Sequence, residues 1–300
     1  MGNLTGILVL NKPKGMTSHD CVLAVRKLAK TKKVGHTGTL DPEVTGVLPI
    51  CLGRATKIAQ FLTEKEKEYI AEVKLGYATT TEDHTGDVIE EKPVDHPPTE
   101  QAVLEALSQF MGEIKQTPPM YSAVKVKGKR LYEWAREGIE IERPSRRVVI
   151  HRLELVRYDP VLPYPTITFK VLCSKGTYVR TLGVDIGRTL GFPAHLSSLV
   201  RTRSGPFTLA QCVTFDEIKT WSPAEWVEQL LPMDAAFTNY PKVELDWDKI
   251  KRVKHGQAIR VSQRLEEDEL YRVYDPYGQF TALCCGQRSS VLKPVKVFKT

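Results

Sequence analysis

The chain has no apolar run approaching the roughly 20 residues of a membrane-spanning helix, and charged residues recur along all 300 positions. Helical insertion into a bilayer is therefore not expected. Its six cysteines (Cys21, Cys51, Cys173, Cys212, Cys284 and Cys285) contain no C-x-x-C pair, and the last two are adjacent. That spacing suits neither a zinc knuckle nor a disulfide framework, and it predicts reduced, mostly buried thiols in a cytoplasmic protein. The seven histidines form no H-x-x-x-H or H-E-x-x-H pair, and G-x-x-x-x-G-K-[ST], G-x-G-x-x-G and G-x-S-x-G are all missing. Metallopeptidase, P-loop, dinucleotide-binding and α/β-hydrolase chemistry thus lose their sequence basis, and neither cofactor nor metal is expected. The start, "MGNLTGILVLNKPKG", lacks basic residues ahead of its short apolar stretch, and position 6 is glycine. Neither a secretory leader nor N-myristoylation is predicted.

The composition that is present is that of a folded protein: 41% hydrophobic and 26% charged residues suit a sizeable core. Lys and Arg number 43 against 36 Asp and Glu, a formal charge of +7 that favours an anionic partner without requiring one.

Local patterns divide the chain into a large α+β part and an all-β tail. "GILVLNKPKG" reads as a buried strand ending in a turn. In "TSHD", Thr17 and Asp20 make a capping box for a helix with Val22, Val25, Leu28 and Ala29 on one face. "YIAEVKLG" alternates through Tyr69, Ala71, Val73 and Leu75 as a strand does. Pro97–Met111 reads as a helix with Val103, Leu104, Leu107 and Met111 in its apolar stripe. Ile167, Phe169, Val171 and Cys173 share one face of a further strand; the helix after it turns Leu182, Ile186 and Leu190 inward and stops at Gly191. "WSPAEWVEQLLPMDAAFTNYPKVEL" reads as a seam, beyond which short strands split by turn residues predict a small β-barrel.

Two stretches stand out for chemistry. Between Lys125 and Arg147, eight basic residues meet four glutamates, with Tyr132 and Trp134 interleaved and Tyr121 just ahead of them. Phosphate-binding cations mixed with rings that can stack on bases suit an RNA surface; a solvated helix and turn is the plainer reading. "GHTGTLDPEVTGVLP" crowds three glycines, His36 and Asp41 into a loop. Taken alone, Asp41 reads first as a turn residue before proline, with a catalytic carboxylate as the alternative that the spacing leaves open.

Five segments in one order, "LNKPKGMTS", "GHTGTLDPEVTGVLPICLGRATK", "KEYIAEVKLG", "TTTEDHTG" and "CSKGTYVRTL", resemble the TruB family of tRNA pseudouridine synthases from about Leu10 to Pro206. "QTPPMYSAVKVKGKRLYEWAREG" resembles the insertion that this family lays against the tRNA T-loop, and the tail resembles a PUA-like RNA-binding domain. The resemblance implies a pseudouridine-synthase fold, α+β, with a mixed, largely antiparallel central sheet flanked by helices and loops, followed by a small PUA-like barrel. It divides the chain into a catalytic domain over residues 1–238, with the RNA-binding insertion at about 116–150, and an RNA-binding domain over 239–300. It implies isomerisation of uridine 55 in the T-loop of tRNA, without cofactor, by a monomer in the cytoplasm. A non-catalytic tRNA-binding or tRNA-folding module is the alternative from another class, and a base-excising glycosylase a third.

The same resemblance assigns roles. Asp41 is the nucleophile and Arg180 its ion-pair partner; Tyr69 stacks on the uracil and moves the C5 proton. Tyr178 hydrogen-bonds in the pocket, Leu199 closes the other face of the base, and His36 enters the space that the base vacates. Lys127, Lys129 and Arg130 contact RNA, while Lys12, Pro13 and Asp83 support the site. Attack at C6 of uracil, attack at C1′ of the ribose and a glycal route are all compatible with this set.

Overall fold

The computed structural model describes residues 4–298. The N-myristoylation reading and the two ends of the 1–238 and 239–300 units reach outside those residues. The chain opens with β1 (Gly6–Lys12), whose aliphatic run is almost wholly buried, and α1 (Ser18–Leu28). The capping box forms as the sequence predicts: the Thr17 hydroxyl accepts from the Asp20 N–H at 3.0 Å, and the Asp20 carboxylate accepts from the Thr17 N–H at 2.9 Å. There follow β2 (Val34–His36), β3 (Thr45–Leu52), a 3₁₀ turn (Gly53–Ile58), α2 (Ala59–Thr63), β4 (Lys67–Leu75), β5 (Tyr77–Thr79) and β6 (Val88–Glu91). Next come α3 (Glu100–Ser108), β7 (Gly112–Gln116), β8 (Lys125–Val126), β9 (Lys129–Arg130), α4 (Leu131–Arg136), β10 (Arg146–Asp159) and β11 (Thr166–Cys173). The chain continues through α5 (Val179–Thr189), β12 (Ala194–Ser204), β13 (Phe207–Thr208), α6 (Phe215–Thr220) and α7 (Pro223–Glu228). β14 (Lys242–Glu244), α8 (Trp247–Lys254), β15 (Ile259–Arg260), β16 (Leu270–Tyr274), β17 (Phe280–Gln287) and β18 (Val291–Val297) complete it.

The central sheet runs β1–β3–β12–β4–β11–β10–β7, with β2 added on β3 and β13 on β12. Every pairing in it is antiparallel except β3 with β12, which meet in parallel through only Thr45–Val200 and Gly46–Arg201. Ala71, Val73 and Leu75 of β4 and Ile167, Phe169, Val171 and Cys173 of β11 are buried at alternate positions, as the twofold side-chain period of a strand requires. They form a core beneath α3 and α5, while β1 and β3 build a second one with α1, Ile218 of α6 and Trp226 of α7. Tyr69 and Leu199 pack against both cores. A five-stranded sheet, β14–β16–β17–β18–β15, curls into a half-barrel around its own core with α8.

The helix expected over Pro97–Met111 is shorter: Thr99 caps it and Gln109 ends it. Val103, Ala106 and Leu107 hold its buried stripe, at i, i+3 and i+4. Leu104 begins the neighbouring, solvent-facing side, and Met111 lies beyond the helix; both are exposed. In the basic insertion, Lys127 and Gly128 both have positive φ (51° and 83°), the geometry of a two-residue type I′ hairpin between β8 and β9.

Candidate active site

Asp41 stands in residues 37–44, which join β2 to β3, and the backbone on either side of it is tied to a different element. The buried Ser18 hydroxyl at the start of α1 accepts from the Leu40 N–H at 2.8 Å and lies 3.2 Å from the Leu40 carbonyl. The buried Lys12 ammonium donates to the carbonyls of Pro13, Met16 and Pro42 at 2.8, 2.6 and 3.0 Å, and the Gly15 N–H adds a bond to Pro42 at 2.9 Å. Burial pulls the Lys12 pKa below its usual range, and the Asp41 and Glu43 carboxylates partly oppose that. Behind the loop, Gly46 has φ +106°, and a Cβ there would come within 2.2 Å of the Arg201 carbonyl oxygen. Only glycine lets β3 and β12 approach so closely.

The Asp41 carboxylate meets Arg180 at 2.9 Å, with 41% of the aspartate side chain exposed and 6% of the arginine. Arg180 is aimed by two backbone carbonyls, Thr81 at 2.7 Å and Tyr121 at 2.8 Å. It rises from the first turn of α5, whose capping residue Tyr178 is clamped by the buried Gln116 amide through bonds of 2.8 and 2.9 Å. The fixed guanidinium orients its partner while leaving part of the carboxylate exposed to the cavity.

These residues line a cavity of about 540 Å³, with Tyr69, Leu199, Tyr178 and Arg201 on its walls. Tyr69 of β4 pairs directly across from Arg201 of β12. Burial raises the Tyr69 pKa, and the neighbouring Arg201 guanidinium opposes the rise. Arg201 is itself buried and donates to the carbonyls of Val47 (2.7 Å) and Gly38 (3.2 Å). Lys67, also on the wall, donates to Thr63 and Lys65 carbonyls at 2.5 and 2.6 Å; burial and Arg201 bring its pKa down to about 8.

The structure therefore gathers Asp41, Tyr69, Tyr178, Arg180 and Leu199 around one cavity, with Lys12 and Pro13 beneath the Asp41 loop. Asp83 lies outside that lining, on a neighbouring pocket that Arg180 and Leu199 also border. Burial would raise its pKa, but hydrogen bonds from Thr85 and Thr81 outweigh that and hold it low. Through those bonds it shapes the turn that presents the Thr81 carbonyl to Arg180. His36 lies on β2 outside the cavity lining, its Nδ1 accepting from the Gly38 N–H at 3.3 Å. Lys127, Lys129 and Arg130 sit apart on the β8–β9 hairpin. Lys127 is exposed at its tip, and Lys129 pairs with Glu137 over the Trp134 ring. Sequence reasoning missed Arg201, Lys67 and Ser18. Alternation along a strand would have found the first two, since each lies two residues from a predicted wall residue, Leu199 and Tyr69 respectively. Ser18 carries no comparable signal.

Among the described residues no three His, Cys, Asp or Glu side chains converge as metal ligands, and no helix is long and apolar enough to cross a membrane. Family models match the chain in three successive segments: the N-terminal domain of the TruB family of pseudouridylate synthases over residues 26–179, the tRNA pseudouridylate synthase B C-terminal domain over 180–238, and the C-terminal part of pseudouridine synthase II TruB over 241–298. The tRNA pseudouridine synthase B of Bacillus pumilus is 52% identical, with 98% of this chain and 97% of that protein covered; that of Bacillus subtilis is 48% identical over 98% and 97%. A crystal structure of a Cbf5–Nop10–Gar1 complex contains a chain that superposes with a TM-score of 0.74 at 29% identity, covering 99% of this chain and 85% of that one. The matches run over nearly the whole length, and the chain belongs to the TruB family of pseudouridylate synthases.

Proposed function

We propose that this protein isomerises uridine 55 in the T-loop of tRNA to pseudouridine, with Asp41 as the nucleophile. The observation that carries the reading is the 2.9 Å ion pair between Asp41 and the buried Arg180 at the wall of a cavity large enough for a base. In the reaction the C1′–N1 bond breaks, the uracil turns, and a C1′–C5 bond forms. N1, which carries no hydrogen in uridine, takes up a proton while C5 gives one up to solvent, so substrate and product have the same composition and no co-reactant is consumed.

The target base must leave its stack, at a cost of a few kcal/mol, and a T-loop offers unstacked bases where an A-form groove does not. Tyr69 and Leu199 line the cavity as two walls between which a uracil ring slides, and the Tyr69 hydroxyl relays the C5 proton, passing its own to solvent as it accepts that one. Tyr178 contacts the base, His36 fills the gap in the T-loop, and Lys12, Pro13 and Asp83 hold the machinery in place. Residues 1–238 carry the chemistry; the hairpin with Lys127, Lys129 and Arg130 and the unit at 239–300 hold the rest of the tRNA. The test is Asp41→Asn: it is expected to abolish tritium release from a tRNA transcript labelled at uridine C5 while leaving tRNA affinity within about twofold. Surviving turnover would remove Asp41 from the chemistry; a wild-type protein that binds tRNA but releases no tritium would favour a folding module.

A further inference from the structure

Six buried side-chain nitrogen and oxygen atoms among the described residues lack a hydrogen-bond partner, and three of them belong to two residues on the wall of the Asp41 cavity: Arg146 Nε and Nη2, and Ser122 Oγ. Buried polar atoms are nearly always satisfied, and buried donors of a cation left without a counter-charge are a costly exception. Such a group in a cleft is explained by a partner that arrives later.

The surroundings narrow that partner. Arg146 begins β10, and its guanidinium carbon lies 4.8 Å from the centre of the Tyr178 ring, which covers one side of it. Gly176, with φ +80°, comes close to the group; a Cβ at that position would lie 3.3 Å from Nη1. The neighbouring arginine, Arg147, is exposed and already paired with Glu113. Arg146 has no such carboxylate among its contacts. A guanidinium sandwiched in this way keeps its in-plane donors available as a fork, the shape that matches two oxygens of a single anion. Ser122, 6% exposed, adds a hydroxyl donor on the same cavity, one residue after the Tyr121 carbonyl that aims Arg180. On the reading of function above, the incoming ligand is an RNA strand, and RNA carries one kind of anionic group, the phosphodiester.

We infer that Arg146 and Ser122 form an anchoring site for a backbone phosphate adjacent to the target uridine, fixing the strand as the base enters the cavity. They are substrate-binding residues; the reacting atoms are left to Asp41 and its partners.

The experiment uses the full-length protein and a T-arm stem-loop RNA carrying a single uncharged methylphosphonate, placed either 5′ or 3′ of the target uridine. With the native linkage, Arg146→Gln is expected to weaken binding about tenfold or more and to lower the slope of log affinity against log salt by about one. One of the two neutral linkages is expected to weaken wild-type binding to a similar degree and to cost Arg146→Gln nothing further, a coupling that identifies the contact. Arg146→Lys keeps the charge and loses the fork, so it should retain the salt slope with part of the affinity. Ser122→Ala should show the same coupling with a smaller loss. If Arg146 merely props Tyr178, its variants will lower kcat with an unchanged salt slope, and the effects of variant and methylphosphonate will multiply; either result overturns the assignment. Binding is read separately from pseudouridine formation, so a wild-type protein that makes no pseudouridine in this RNA defeats the functional reading, while the coupling still decides the anchor.

Discussion

Lys67 directs its ammonium at the Leu62, Thr63 and Lys65 carbonyls from the first position of β4, two residues before Tyr69. With its pKa brought down to about 8, it is charged at neutral pH and loses its proton just above it. It contributes, with Arg180 and Arg201, to the positive lining of the cavity. Raising the pH through about 8 should therefore remove one cation and reduce affinity for tRNA, whereas lowering it below 7 should add nothing. In Lys67→Arg, whose guanidinium stays charged throughout, the inflection should disappear. Binding measured from pH 6.5 to 9.5 at constant ionic strength decides it, and parallel profiles for the two proteins would show that Lys67 titrates without consequence. Arg180 works differently. Its two carbonyl contacts hold it in place, so the ion pair with Asp41 depends on their geometry.

That geometry is set by the seat of α5 on the sheet. Gly187 faces β12 so closely that a Cβ would lie 2.3 Å from the Ala194 Cβ, and Gly183 approaches Val73 in the same way. Gly187→Val is expected to push the helix outward, cost about 1–3 kcal/mol of stability by overpacking, and lower kcat by moving Arg180. Thermal unfolding together with single-turnover rates checks both; an unchanged rate in a destabilised protein would show that the Arg180 cage tolerates a shifted helix. Elements of this kind were legible in the sequence where their pattern is local. The alternation in β4 and β11 and the Thr17–Asp20 cap needed only neighbouring residues, and Asp41, Tyr69 and Arg180 were found through motifs that resemble a family. Leu104 was misplaced because apolar residues at 103, 104 and 107 leave the edge of the stripe undefined until a sheet lies beneath it. Ser18 acts through a partner in another element, Leu40, and such a pairing leaves no periodic trace. The orphaned donors of Arg146 were equally invisible, since being unpartnered is a property of the surroundings and not of the residue.

Across the whole molecule, the two sheets share a core. Ile7, Val9 and Val47 of the central sheet pack in one cluster with Phe237 and with Leu283 and Phe298 of the C-terminal unit. The half-barrel is consequently part of what stabilises the strands leading to Asp41. Phe298→Ala should cost about 3–5 kcal/mol and lower the unfolding midpoint of both units together. Denaturant unfolding followed by far-ultraviolet circular dichroism and by tryptophan fluorescence should give coincident transitions. Loss of the tail signal ahead of the rest would mean that the shared cluster does not couple them.

The carbonyls that steady Arg180 come from positions 99 and 59 residues away in the chain, and its carboxylate partner comes from still farther. Only a stretch that spans residues 41–180 contains all four participants, so no stage of the chain that stops short of Arg180 can assemble them. An unfinished molecule that ends before Arg180 and encounters RNA therefore has an aspartate without the guanidinium that aims it.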